Sequence, residues 1–336
     1  MTRKFKTALL PTFAAIVSTA CFIILIGTAS HNQKTNSDNE GVEQKNTEVF
    51  SSRYSLSSPP MPKTLQFAGE EVPINRYDVR EALDRELMVN IYWQSNILLY
   101  CKRAYRYFPV IEPILKKEGI PEDFKYLALV ESGFTNVVSP AKATGFWQFM
   151  KATALSYGLE ISEEVDERYN LEKSTVAACK FLKRAYNQHN SWSLAAASYN
   201  VGEGRLGQSM TNQKTSSYWD LFINEETSRY VYRILAAKLI LSNPQDYGIR
   251  LRLTDLYQPL QVSLIEVDYS IDNLVDFALK HGVSYKQLKN LNPWLRSDKL
   301  TNKTGKKYHI AIPKKEYLIF ENQIKDIDTN EMLKRQ

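Results

Sequence analysis

From Val79 to Tyr107, apolar side chains return at three and four positions, at Leu83, Leu87, Val89, Ile91, Ile97, Leu98 and Ala104. That period predicts one long amphipathic helix, whose aromatic residues Tyr92, Trp93, Tyr100, Tyr105 and Tyr107 fit its packing face. Pro109 is expected to end it, and residues 110–118 to form a short second helix closed by Gly119. Pro121 stands where a first helical turn accepts it, and Glu122 and Asp123 suit that helix's positive end. The helix is expected to run to Glu131, with Gly133 as its stop. Similar spacing predicts helices over 147–157, 171–188, 192–199 and 225–241, and strand-like alternation is absent from this region.

After Pro244 the texture changes. Residues 251–254 and 260–269 alternate as strands do, short helices fit 271–281 and 284–290, and a last strand fits 308–312 before Pro313. The charged tail after Lys315 is expected to end in a helix. The pattern therefore predicts a mainly α protein: a helical domain over 65–250, a small α+β module over 251–315, and a charged tail over 316–336. No internal repeat is visible.

The N-terminus follows a different rule. Arg3, Lys4 and Lys6 precede an apolar run from Ala8 to Ala29, long enough to cross a bilayer. Residues 1–30 are thus expected to be a signal peptide or an uncleaved anchor, and Gly27-Thr-Ala29 also satisfies a small-residue cleavage rule. A lipoprotein reading through Cys21 is disfavoured by the apolar sequence after it, Phe22-Ile-Ile-Leu-Ile26. Residues 31–64, polar and rich in Ser, Asn, Thr and Pro, read as a disordered tether. The rest of the protein is expected to be exported to the periplasm or cell envelope.

Composition narrows the chemistry. With 336 residues and 43% hydrophobic content the chain can build a sizeable core. A formal net charge of +6, with basic residues scattered among acidic ones, argues against nucleic acid as a partner. Three cysteines give no disulfide framework, and Cys101 and Cys179 read as buried reduced thiols. With 4 His and no cluster at ligand spacing, no metal site is expected.

Glu131 ends an apolar helical run, where desolvation should raise its pKa and let it donate a proton near neutrality. A glycosidic bond breaks when its oxygen is protonated while positive charge grows at the anomeric carbon, and ordinary glycosidases need a second carboxylate. Candidates by type are Asp166, Glu167, Glu172, Glu203, Glu225 and Glu226, but none stands out as Glu131 does. The charged stretch 163–168 reads as a solvated segment leading into a helix. In Gly145-Phe-Trp-Gln148, expected to open a helix, glycine permits unusual dihedrals or close approach by a sugar chain. Gln148 would bind hydroxyl or N-acetyl groups there, and Trp147 or Phe146 would stack on a pyranose. Tyr199 and Asn200 fall at a helix end before a loop with Gly202 and Gly204, placing Tyr199 to donate to the substrate or to Glu131.

Three ordered segments carry a family resemblance: Glu131-Ser-Gly-Phe134; Ser139-Pro with Gly145-Phe-Trp-Gln-Phe-Met150; and Ala196-Ala-Ser-Tyr-Asn-Val-Gly-Glu-Gly-Arg205, continued by Asn224-Glu-Glu-Thr-Ser-Arg-Tyr-Val231. Together they resemble the soluble-lytic-transglycosylase domain of bacterial murein lytic transglycosylases, most closely the membrane-bound D group. The resemblance implies a lysozyme-like helical domain with a glycan groove, no cofactor, and cleavage of the MurNAc–GlcNAc bond of peptidoglycan with release of 1,6-anhydromuramyl products. It matches Glu131 to the catalytic acid/base, Ser139, Gln148, Met150, Tyr199 and Asn200 to groove positions, and Glu226 to a family carboxylate. Gly282-Val-Ser-Tyr-Lys-Gln-Leu-Lys-Asn-Leu-Asn-Pro293 makes the module over 269–313 look like a divergent LysM, departing from the pattern near Ile271-Asp-Asn-Leu274. The module is thus expected to be either a carbohydrate binder or a structural extension of the catalytic domain. A water-using muramidase and an inactive peptidoglycan-binding protein are the alternative readings.

Overall fold

The computed structural model describes residues 57–333. The N-terminal apolar run and most of the expected tether lie outside the described residues, and so do the assignments made for them. Among the described residues, no helix is long and apolar enough to cross a membrane.

The protein is mainly helical, as the apolar spacing predicts. A two-residue hairpin comes first, β1 (Gln66–Phe67) against β2 (Glu70–Glu71), antiparallel, turning through Ala68 and Gly69 at positive φ. Next come α1 (Tyr77–Tyr92) and α2 (Gln94–Glu118), separated at Trp93, where φ −86° and ψ 62° leave the helical region.

The expected break at Pro109 is absent, because α2 runs through Pro109 and Pro113. Its buried residues, Ile97, Cys101, Ala104, Phe108, Ile111 and Leu115, form one continuous stripe, while both prolines face outward, where water solvates the freed carbonyls. Two interior prolines cost about 3 kcal/mol each. Four large apolar side chains at roughly 1.5–3 kcal/mol each outweigh that, and they keep the helix whole.

Helix α3 (Lys125–Ser132) follows a 3-10 turn at Glu122–Phe124 and is closed by Gly133 at φ +57°, whose N–H donates to Leu129 O. The next expected helix is shorter than predicted: Gly145–Gln148 is a turn held between paired Thr144 and Phe149, and α4 spans only Lys151–Ser156. Helices α5 (Leu171–His189) and α6 (Trp192–Val201) then build the centre of the core. Residues Ser193–Ser198 of α6 are all buried, and the run Ala195-Ala-Ala197 lets neighbouring helices approach closely. The expected Gly202/Gly204 loop is a single cap residue, Gly202 at φ +88°, followed at once by α7 (Glu203–Gln213). Helix α8 (Glu225–Ser242) closes the domain against α1, α3 and α6.

Beyond it, residues 251–254 form no strand. Leu251 and Leu256 pack into the helical core, a 3-10 turn spans Leu253–Asp255, and Arg252 pairs only with Met332. The C-terminal module is β3 (Val262–Val267), α9 (Leu274–Lys280), α10 (Tyr285–Leu291) and β4 (Tyr308–Pro313), with the strands antiparallel from Val262↔Pro313 to Val267↔Tyr308. Its own core centres on Leu274, Leu288, Leu295 and Ile310. In the tail, a 3-10 turn (Lys315–Leu318) precedes α11 (Phe320–Ile324), and Leu333 returns to the helical core. Cys101 and Cys179 are buried free thiols.

Candidate active site

Glu131 sits on the last turn of α3 because Leu127, Ala128 and Leu129 bury the preceding turn and Gly133 stops the helix just beyond. The carboxyl is half-buried. Desolvation pushes its pKa up to about 7, and the negative charge of Glu226 pushes the same way. The Tyr230 hydroxyl, which donates to Glu131 Oε1, and the Arg233 guanidinium pull it back toward the ionised form. A carboxyl balanced near neutrality is equipped to give a proton and to take one back.

The hydroxyl that reaches Glu131 belongs to Tyr230, not to Tyr199 as the sequence suggested. Tyr199 donates instead to Trp147 O at 2.7 Å, and burial first, then the nearby Glu131 charge, raise its own pKa. Tyr230 is fully buried on α8, one turn beyond the carboxylate Glu226. The sequence held one signal for it, the Glu-Thr-Ser-Arg-Tyr-Val231 stretch, but nothing local ties that segment to a residue 99 positions away.

Asn200 and Glu226 come together. Asn224 caps α8 by accepting from Thr227 N–H (2.9 Å), Thr227 Oγ1 donates to Asn200 Oδ1 (2.7 Å), and Asn200 Nδ2 donates to Glu226 Oε1 (3.4 Å). Asn200 is thereby oriented with its amide toward an exposed carboxylate, which in turn acts electrostatically on Glu131.

The Gly145–Phe149 turn holds the next of the expected residues. Gln148 stands at φ +47° and spends its side-chain amide on Val137 O (3.1 Å) and Gly145 O (2.7 Å), so its Oε1 alone remains for a ligand. Ser139 closes a neighbouring tight turn, accepting from Ala143 N–H at 3.0 Å. Met150, expected inside a helix, caps α4 and is exposed. No contact joins Ser139 or Met150 to Glu131 directly.

Three further expectations are corrected. Trp147 is wholly buried, with Nε1 donating to Thr175 Oγ1 at 2.8 Å, and Phe146 is buried too, so neither ring is free to stack on a sugar. Gly145 does adopt positive φ, +81°, but its close neighbour is this chain itself: a Cβ there would lie 2.1 Å from Arg168 O. The stretch 163–168 is not uniformly solvated, since Asp166 and Glu167 are both buried.

Comparison with known proteins identifies two domain matches and several relatives. Residues 108–222 match the family described as "Transglycosylase SLT domain", and residues 263–316 match the "Soluble lytic transglycosylase C-terminal LysM-like domain". The membrane-bound lytic murein transglycosylase D of Escherichia coli K12 is 31% identical over 258 residues, covering 74% of this chain and 55% of that protein. A putative tributyltin chloride resistance protein of Alteromonas sp. (strain M-1) is 31% identical over 138 residues, 40% of this chain and 64% of that one. The chain thus spans about half the length of the first of these curated relatives. The solved 70 kDa soluble lytic transglycosylase SLT70 of E. coli aligns over 65% of this chain and 36% of its own, at 16% identity and a TM-score of 0.38. By its two domain matches, the chain belongs to the proteins that carry a transglycosylase SLT domain followed by a LysM-like C-terminal domain.

Proposed function

We propose that this protein is a peptidoglycan lytic transglycosylase that cuts the β-1,4 bond between MurNAc and GlcNAc, with Glu131 as its only acid and base. The observation that carries the reading is the half-buried Glu131 carboxyl, with its pKa raised to about 7 beside Tyr230, Glu226 and Asn200. The SLT match and the name of the E. coli relative support murein as the substrate.

In this mechanism Glu131 donates its proton to the bridging oxygen, and the bond from that oxygen to the muramyl anomeric carbon breaks. The GlcNAc part leaves as an alcohol. The growing positive charge on the anomeric carbon is met by the muramyl 6-hydroxyl oxygen, and that hydroxyl's proton returns to Glu131 as the 1,6-anhydro ring closes. No water is consumed, and the residue ends as it began. Tyr230 holds one carboxylate oxygen and stabilises the ionised state between the two transfers. Asn200, Gln148, Ser139 and Met150 are assigned to the walls that hold the glycan, and Glu226 supports the developing cationic charge.

The same reading places the protein in the cell envelope, with peptidoglycan strands as its partner and the N-terminal segment as its link to the membrane or to export. The mechanism needs no cofactor.

The test is the mass of the fragments released from purified murein. Anhydro-ended fragments are expected, and Glu131→Gln should lower their release by at least about a thousandfold while preserving the fold. Fragments heavier by one water per cut would instead assign a hydrolase with Glu226 as base. Murein retained without any fragment release would assign a binding protein.

A further inference from the structure

Asp166 and Glu167, read from the sequence as part of a solvated stretch, are buried with Val165, where the segment 160–168 meets the C-terminal module, although Ser162 and Glu163 stay exposed. Val165 is a member of the module's hydrophobic core, although it belongs to the sequence of the SLT domain. Backbone bonds flank it on both sides: Asp166 N–H donates to Trp294 O (2.9 Å), and Arg296 N–H donates to Glu164 O (2.7 Å). Side chains complete the enclosure. Thr301 donates through N–H (2.6 Å) and Oγ1 (3.0 Å) to the Glu164 carboxylate, Lys306 pairs with Glu160 and Glu167, and the Tyr308 hydroxyl reaches Glu160 at 3.1 Å.

The other end of the same segment holds the Gly145–Phe149 turn. Arg168 is fixed by Asp166 through Nε (3.0 Å) and Nη2 (2.7 Å), and its Nη1 donates to Phe149 O (3.2 Å) and Lys142 O (3.3 Å). Its carbonyl occupies the space that a side chain at Gly145 would need. From that turn, Phe146 O accepts from Ser132, next to Glu131, at 2.9 Å, and Trp147 O accepts from Tyr199. Every link from Trp294 to the neighbour of the acid is a hydrogen bond, an ion pair or a van der Waals contact.

We propose that the C-terminal module is a brace for the substrate groove: it clamps residues Glu160–Arg168, and Arg168, as a positioning residue, fixes the Gly145–Phe149 turn against which the glycan lies. Within 294–308 of the module, Trp294, Arg296, Thr301, Lys306 and Tyr308 are all engaged by the protein's own chain. The module therefore serves the catalytic domain from within instead of anchoring it to the wall. The glycan part of this inference rests on the function proposed above, whereas the mechanical part does not.

The test uses the full chain carrying Glu164→Ala with Lys306→Met, and separately Val165→Asn, which sets an amide in the module's core. Hydrogen exchange is read at the amides of 145–149, 262–313 and 230–241. The expected result is exchange faster by about tenfold at 145–149 as well as in the module, with 230–241 unchanged. With murein, KM should rise severalfold while kcat and the pH profile stay as in the parent. Arg168→Lys, which keeps the charge and loses the fork, should accelerate exchange at 145–149 alone. Faster exchange confined to 262–313 with an unchanged KM would overturn the proposal, and so would no change at 145–149 in any variant. If the parent leaves murein intact, the transglycosylase reading fails, while the exchange result still decides whether the brace exists.

Discussion

At the scale of single residues, the proposed mechanism turns on the protonation of Glu131. The acid must hold its proton to begin the reaction, so activity should fall as pH rises through about 7. The Tyr230 hydroxyl lowers that pKa by favouring the charged form, and its removal has a definite direction. In Tyr230→Phe the basic limb of the rate profile should move to higher pH, which initial rates on murein across pH 5–9 will reveal. A limb that stays put would mean that the hydroxyl does not act on the acid.

Stability follows from the same shift. Glu131 has a folded pKa of about 7 against an ordinary value of 4.5, so between those values the folded protein keeps a proton that the unfolded chain has lost. Stability contributed by the group is full below 4.5, declines across that window, and stays lost above 7. The whole shift corresponds to roughly 3 kcal/mol. Glu131→Gln should therefore melt higher than the parent at pH 8, by about 5 °C or more, and nearly together with it at pH 4. Calorimetry at the two pH values checks this, and a variant that melts lower at pH 8 would contradict the desolvated carboxyl.

Glu131 was legible in the sequence because everything that defines it is local: an apolar turn before it and a glycine stop after it. Tyr230 was not, because its role depends on where α8 crosses α3, and crossing geometry has no signature within either helix. Trp147 misled for a related reason. An aromatic ring beside Gly and Gln looks the same in a chain whether it ends against a sugar or against Thr175.

At the scale of elements, helices set by a long apolar stripe were readable and turns set by distant contacts were not. The spacing of α5, α6 and α8 gave their extents to within a residue or two. Helix α2 was cut short on paper because a proline is a local signal, whereas the stripe that carries the helix past it draws its energy from tertiary burial. The Gly145–Phe149 turn looks like a helix start in the sequence, since nothing nearby in the chain announces the Arg168 carbonyl that shapes it.

Two glycines separate these influences. Gly145→Ala meets both a positive φ and backbone at 2.1 Å, and should destabilise by about 2 kcal/mol or more. Gly207, inside α7 with open space where a Cβ would go, should become more stable as alanine by about 0.5–1 kcal/mol. Denaturant midpoints at constant slope give both values. A harmless Gly145→Ala would show that the turn yields easily and that Arg168 does not hold it.

At the scale of the whole molecule, two hydrophobic cores are joined by one inserted segment. A pattern of strands and helices separates them readily, because each core has its own periodicity; it cannot show that Val165, from one stretch of sequence, is buried in the other core. The joint has a thermodynamic consequence. A domain pair held by a flexible linker unfolds in two steps of independent midpoint, whereas one that shares buried residues loses both cores together. Trp294, stacked on Tyr308 in the module, and the helical signal, which comes mostly from the SLT side, are independent reporters of the two parts. In urea, the fluorescence of Trp294 (with the other four tryptophans replaced by Phe) and the far-ultraviolet dichroism should give coincident midpoints and slopes. In the Val165→Asn chain the fluorescence transition should come first, because the module would lose its inserted apolar side chain while the helical core keeps every one of its own. Separate transitions already in the parent would show that the cores fold apart, and that the shared segment lies against the module without binding its stability to the groove.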